Sequence, residues 1–396
     1  MCQVSDGNTR GDYAPEVRGA LEGFVEGGDV PGFVAAIYRS GDLTFVESGR
    51  MSLDSDARVE VDSIFRISSM SKPVTAVATL VLVERGVLSL DAPVHEYLPE
   101  LADRRVVAKL DGPIENTVAA RRAFTVRDLL TFTFGFGALF APCPIVDAAS
   151  ALEVAVGPPQ PARAPAPDEW LRRFATLPLM HQPGERWMYH TGSDLLGILI
   201  SRVSGQDFTS FLTDHVLSPL SMNDTGFYVP AERLSRFGPC YQFDATTDSL
   251  TVFDPVNGQW SVAPAFASGG AGLVSTAVDY LRFAGMLLRG GAPIVSSDTV
   301  AEMTSDQLTT EQKSMSGFGP GFFDTIGWGF GVSVTTAAAE GAGSLGQYGW
   351  SGGLGTLWFN DPARDLAAVL MTNRMWSSPT PPPIAAAFAS VVNAIT

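Results

Sequence analysis

The sequence predicts a mixed α/β (α+β) fold, a mainly antiparallel sheet flanked by helices with a second, largely helical lobe. Three observations lead there. Strand-like runs joined by short turns occur near both ends of the chain, so hairpins outnumber crossovers. Between them, from residue 90 to about residue 266, helical patterns alternate with long irregular stretches. The 396 residues are 45% hydrophobic and 17% charged, which excludes disorder and supplies a full core. The implied division is an α/β lobe built from residues 1–89 and 267–396 around a helical lobe of residues 90–266.

Residues 15–28 read as a first helix, with Pro15 in its first turn, Val17, Leu21, Phe24 and Val25 on one face, and Gly27-Gly28 at its end. Residues 33–38 and 43–47 are β-rich and joined by Arg39-Ser-Gly-Asp42, a hairpin signal. A short apolar run at 64–67 leads into a second helix ending at Gly86. In the middle segment, helices are expected at 126–131, 168–177, 194–203 and 208–216. The irregular stretches 132–144 and 157–167 have the length of functional rims or lids. After Gly269-Gly270 a helix over 276–288 is closed by Gly290-Gly291, and strands are expected at 329–334, 356–360 and 366–372 before a final helix over 384–392.

Lys+Arg 26 against Asp+Glu 42 gives a formal charge of −16, which disfavours nucleic acid and anionic membrane surfaces as partners. Cys2, Cys143 and Cys240 have no paired spacing, so neither a disulfide framework nor a zinc knuckle is expected. The four histidines show no metal-ligand spacing. Residues 1–13 are polar and lack the apolar segment of a secretory signal, and the apolar stretch 74–83 is too short to span a bilayer. A cytoplasmic protein is the expectation.

Lys72 is one of only three lysines and adjoins a strongly apolar helix in Ser68-Ser69-Met70-Ser71-Lys72-Pro73. Residues three apart on a helix share a face, so Ser69 Oγ and Lys72 Nζ can meet. If Ser69 begins the helix, its N–H is among the free amides there and can stabilise an oxyanion. A lysine in an apolar pocket loses proton affinity and can act as a base at neutral pH. The plainer reading makes Ser69 a helix cap and Lys72 a surface cation; placement between a strand and an apolar helix favours the chemical one. Gly349-Trp350-Ser351-Gly352-Gly353 matches the Gly-x-Ser-x-Gly nucleophile elbow, but His95, His181, His190 and His215 all precede Ser351 and a strand follows it, so that fold's order fails. Tyr189, in the loop Trp187-Met188-Tyr189, is a packed aromatic unless it serves as a proton carrier beside a Ser–Lys pair. Cys143 is a weak nucleophile candidate. Phe132, Phe134, Phe136 and Phe140 suit a pocket lining or a core equally well.

Together these segments resemble the serine β-lactamase/penicillin-binding-protein superfamily, and within it the class C β-lactamases and family VIII carboxylesterases. The resemblance is carried by Ile64-Phe-Arg-Ile-Ser-Ser-Met-Ser-Lys72, Leu88-Ser-Leu-Asp-Ala-Pro-Val94, Tyr97-Leu-Pro-Glu-Leu101, Trp187-Met-Tyr189, Gly269-Gly-Ala-Gly-Leu-Val-Ser275 and Trp350-Ser-Gly-Gly353. It implies a β-lactamase-like fold, Ser69 as acylated nucleophile, Lys72 and Tyr189 as its proton-handling partners, and the N–H groups of Ser69 and Gly353 as oxyanion hole. Trp350-Ser351-Gly352 stands where the family has Lys-Thr-Gly. The second motif reads Tyr189-His190-Thr191, without the asparagine that β-lactamases use, and Trp350 replaces the lysine that holds a β-lactam carboxylate. The segment Leu130-Thr-Phe-Thr-Phe-Gly135 also departs from the usual His-Thr-Ser-Gly.

The expected activity is hydrolysis of short-chain carboxylic esters through an acyl-enzyme on Ser69, with no metal or organic cofactor. Trp350, Ser351, Gly352, Phe134 and Phe136 are the expected substrate contacts. β-Lactam or D-amino-acid amide hydrolysis by the same centre, acyl transfer to a small alcohol, and a catalytically silent binding protein are the alternatives. Whether Lys72 or Tyr189 is the formal base stays open, as does the oligomeric state.

Overall fold

The computed structural model describes residues 13–339 and 343–395. Cys2 and the polar start of the chain, apart from Tyr13, lie outside them. The elements that position the site are helices α1 (Ala14–Glu26), α2 (Ser71–Glu84), α3 (Thr191–Ser204), α4 (Ala277–Leu288) and α5 (Pro383–Ala394). The strands are β1 (Gly32–Arg39), β2 (Asp42–Gly49), β3 (Ile326–Trp328), β4 (Ser333–Thr335), β5 (Tyr348–Gly352), β6 (Thr356–Asp361) and β7 (Leu366–Thr372). They form one seven-stranded sheet in the order β2-β1-β7-β6-β5-β4-β3. Every pairing in it is antiparallel, and β1 joins the two chain ends by pairing Phe33 with Thr372 and Arg39 with Leu366.

Both faces of this sheet are covered, which is why β1 and β7 read as continuous apolar runs instead of alternating ones. Phe33, Ala35, Ile37, Leu366, Ala368 and Leu370 face Val17 and Leu21 of α1 and Ile384 and Phe388 of α5. Val34, Ala36, Ala367, Val369 and Met371 face the main core with Tyr280 and Phe283 of α4. Trp358 of β6, fully buried, packs edge-on against Tyr280 and Phe283, and the Asn360 amide donates to the Ala284 carbonyl at 2.8 Å. The same core continues through α2 and α3 into the segment between the two sheet halves.

The run expected as a single strand over 329–334 is instead a reversal between β3 and β4. Gly329 N–H donates to the Val332 carbonyl at 2.8 Å and Gly331 takes φ 73°, which a strand residue cannot. A two-stranded ribbon, Cys240–Asp244 with Ser249–Asp254, stands where only irregular chain was expected. It supplies Asp254, whose carboxylate pairs with buried Arg66 at 2.5 Å and thereby anchors the strand just before Ser69. Among the described residues no helix is long and apolar enough to cross a membrane.

Candidate active site

Ser69 lies in a short 3-10 turn, Ser68–Met70, immediately ahead of α2 rather than in the helix itself. Ser68 is held at φ 45°, an unfavourable conformation for a residue with a side chain. Two neighbours fix the turn. Ser71 Oγ donates to the Ser68 carbonyl at 2.7 Å and accepts from Leu273 N–H at 3.0 Å, while Ile67 N–H donates to the Leu273 carbonyl at 3.0 Å. On the other side Thr356 Oγ1 donates to the Ile67 carbonyl at 3.2 Å. A Cβ on Gly352 would lie 2.1 Å from that carbonyl, so only glycine lets β5 come this close to the turn. The glycine therefore serves an approach of backbone to backbone, whereas a Cβ on Gly353 would meet open space.

Lys72 sits one helical turn along α2 and is fully buried. Its Nζ lies 2.9 Å from Ser69 Oγ and 3.1 Å from His190 Nδ1, donates to the Gly270 carbonyl at 2.6 Å, and stands 4.4 Å from the centre of the Tyr189 ring. Burial lowers its pKa from 10.5 to about 7, against the opposing charge of Asp194. Tyr189 moves the other way. Burial raises the phenol well above its ordinary range, although the Ser69 hydroxyl and the Trp350 indole both favour the phenolate. Trp350 Nε1–H donates to the Tyr189 hydroxyl at 2.7 Å. The two expected proton carriers thus differ: near pH 7 much of Lys72 is a free amine, and Tyr189 is a phenol.

His190 and Asp194 complete the cluster, and neither was singled out as a functional residue from the sequence. His190 takes φ 90° just before α3. Its Nε2 lies 3.1 Å from Asp194 Oδ2, and Asp194 Oδ1 accepts from Ser268 Oγ at 2.6 Å and Gly270 N–H at 3.0 Å. Burial opposes the charge on Asp194, yet the donors from His190, Ser268 and Gly270 hold it below the ordinary carboxylate range. Burial, reinforced by Lys72, lowers the His190 pKa as well. The i,i+4 spacing of His190 and Asp194 at a helix start was the available signal.

Around Tyr189 the walls are aromatic. Phe132, Trp187, Phe318, Trp328 and Trp350 all stand within 6.4 Å of its ring centre to centre, and Phe140, 69% exposed, touches Phe318 at the rim. Phe134 and Phe136, expected to touch substrate, do not reach this wall. Both are buried in the main core, against Phe124 and Phe174. The reason is local: Phe132 takes φ 60° and Gly135 φ 102°, so the alternation that would align the three rings is broken. Ser351, another expected contact, pairs with Leu357, whose side chain packs on the α1/α5 side of the sheet. Trp350 pairs with Trp358 and faces the Tyr189 side. Thr191, at the start of α3, is buried with its hydroxyl unpartnered among the described residues. Outside the bonds internal to helices and strands, neither the Ser69 nor the Gly353 N–H donates to a backbone carbonyl, and the Gly353 carbonyl is held by Trp376 N–H at 2.8 Å.

The chain is similar to known proteins over most of its length. Residues 17–389 match the Beta-lactamase family model. Protein Rv1367c of Mycobacterium tuberculosis is 38% identical over 352 residues, covering 86% of this chain and 85% of that protein. Esterase EstB of Burkholderia gladioli is 31% identical over 373 residues, 89% of this chain and 88% of that one. The fold matches that of EstCE1, described as a hydrolase with promiscuous acyltransferase activity, with a TM-score of 0.82 at 23% identity over 96% of this chain and 98% of that one. The family match over residues 17–389 and the 31% identity with Esterase EstB over most of both chains make this chain a member of the beta-lactamase family.

Proposed function

We propose that this chain is a serine carboxylesterase that cleaves short-chain esters through an acyl-enzyme on Ser69, in the manner of family VIII. The observation that carries the proposal is the 2.9 Å contact between Ser69 Oγ and a buried Lys72 amine. Lys72 takes the hydroxyl proton as Ser69 attacks the ester carbonyl, and the amides of Ser69 and Gly353 hold the oxyanion. Lys72, rather than Tyr189, is the base, because only its proton affinity lies near neutral pH. Tyr189 hands a proton to the departing alkoxide and recovers it from the Lys72 ammonium. Water, deprotonated by the same amine, then releases the acid and restores Ser69. The cycle requires no metal or organic cofactor.

Trp350 favours an ester over a β-lactam. An indole N–H aimed at Tyr189 cannot pair with a substrate carboxylate as an ammonium would. The aromatic wall also favours a second reading, acyl transfer to a small alcohol, because apolar surroundings disfavour water as the acceptor. The test compares p-nitrophenyl esters of increasing chain length with a chromogenic cephalosporin, in buffer and with added methanol, alongside labelling by an organophosphonate. Short esters should give the highest kcat/KM and the label should map to Ser69, with Ser69→Ala abolishing both. A higher kcat/KM for the cephalosporin, or a label on Ser351, would refute the proposal.

A further inference from the structure

His190 is buried beside the reacting groups yet has no part in the cycle above. Its Nδ1 lies 3.1 Å from Lys72 Nζ and its Nε2 lies 3.1 Å from Asp194 Oδ2. A carboxylate can only accept, so Nε2 carries the ring proton and Nδ1 presents a lone pair to the amine. Asp194 is itself fixed by Ser268 Oγ and Gly270 N–H, and the Gly270 carbonyl is the second acceptor on Lys72. A free amine has two N–H bonds and one lone pair. With the N–H bonds drawn to His190 Nδ1 and the Gly270 carbonyl, the lone pair points at Ser69.

We infer that His190, held in one tautomer by Asp194, is a positioning residue that aims the Lys72 lone pair at the Ser69 hydroxyl. The inference rests on the esterase reading for its role in turnover, but the orientation of the amine is a property of the resting protein. The groups around Lys72 Nζ are few: His190, Asp194 behind it, and the neutral Tyr189 ring. The Gly269–Ser275 run has no titratable side chain, and Tyr348 of β5 is turned to Asn360. His190 itself is bounded by Lys72, Asp194, the Tyr189 ring and Gly270, where a Cβ would lie 2.9 Å from Nε2.

Three variants test it, read by the rate at which an organophosphonate labels Ser69 across pH. His190→Ala removes the acceptor and should slow labelling about 10- to 100-fold, the effect of one hydrogen bond to a charged or reacting group. His190→Asn tolerates the left-handed backbone and offers an amide oxygen near the Nδ1 position, so it should stay within about threefold of wild type. Asp194→Asn keeps an oxygen for Ser268 and Gly270 but turns an NH₂ toward Nε2. The ring must then carry its proton on Nδ1, facing the amine. Its plateau rate should fall at least tenfold, and its acidic limb should move to lower pH, because the lost negative charge no longer helps Lys72 hold its proton.

Ring-nitrogen NMR on the resting wild type gives a readout independent of turnover, with Nε2 protonated and Nδ1 bare as the expected result. Wild-type rates in His190→Ala, an unmoved limb in Asp194→Asn, or a proton on Nδ1 would each overturn the inference. If His190→Ala does not fold, the other two variants and the NMR decide. A wild type that resists labelling but shows the expected tautomer would refute the esterase reading and leave the positioning of Lys72 standing.

Discussion

Lys72→Met should reveal the energetic cost of the proposed base. The folded protein holds the Lys72 proton only up to about pH 7, against 10.5 for an exposed lysine. That difference is worth about 5 kcal/mol at 1.36 kcal/mol per tenfold change in proton affinity. Between those two values the unfolded chain binds more protons than the folded one, so wild-type stability rises with pH across the window; below about pH 7 the full penalty is present. From about pH 7 to about pH 9.5 the wild type should gain about 3 kcal/mol from this group alone. Methionine fills a similar unbranched volume and carries no charge, so the variant gains nothing there. His190, with its lowered pKa, stays neutral throughout the interval, Tyr189 stays protonated, and every other titrating group is common to both proteins. For a chain of 396 residues the unfolding entropy is roughly 0.8 kcal/mol per kelvin, so 3 kcal/mol is about 3–4 °C. Thermal unfolding of both proteins at the two pH values measures it. The Tm advantage of Lys72→Met over wild type should shrink by that amount between about pH 7 and about pH 9.5. A difference constant to within about 1 °C would mean that Lys72 keeps an ordinary proton affinity and cannot be the base at neutral pH.

Two further outcomes separate packing from chemistry. Trp350→Phe keeps a ring against Trp328 and deletes only the N–H that meets the Tyr189 hydroxyl. Loss of about 1 kcal/mol of hydrogen bonding should lower ester kcat by about fivefold with little change in Tm, and an unchanged kcat would show that this contact does not serve turnover. Phe134→Ala empties a fully buried core position and should cost about 3–5 kcal/mol, or about 4–6 °C in Tm, while leaving ester KM within about twofold. A large KM change with an unmoved Tm would return Phe134 to the substrate pocket.

What the sequence discloses about this site is what is local in it. Ser69 and Lys72 are three residues apart, and the hairpins β1–β2 and β6–β7 carry their turns within a few residues, so spacing and turn chemistry expose them. The rest of the cluster joins distant parts of the chain. Lys72 meets Gly270 across 198 positions and His190 across 118, and no periodicity reports such contacts. Backbone strain is equally silent: φ of 60° at Phe132 and 90° at His190 redirects side chains that an extended or helical reading would place elsewhere.

Trp350 shows the limit most clearly. Its substitution for a lysine is plain in the sequence and argues against a carboxylate-bearing substrate. Its effect on the proton carriers appears only when the indole is found on the Tyr189 hydroxyl. An ammonium there would stabilise the phenolate by charge, whereas an indole N–H offers only a dipole, and burial then keeps Tyr189 protonated. In the proposed cycle, one replacement thereby both removes the cation a β-lactam would need and leaves the base role to Lys72, the one buried amine within reach of Ser69 among the described residues.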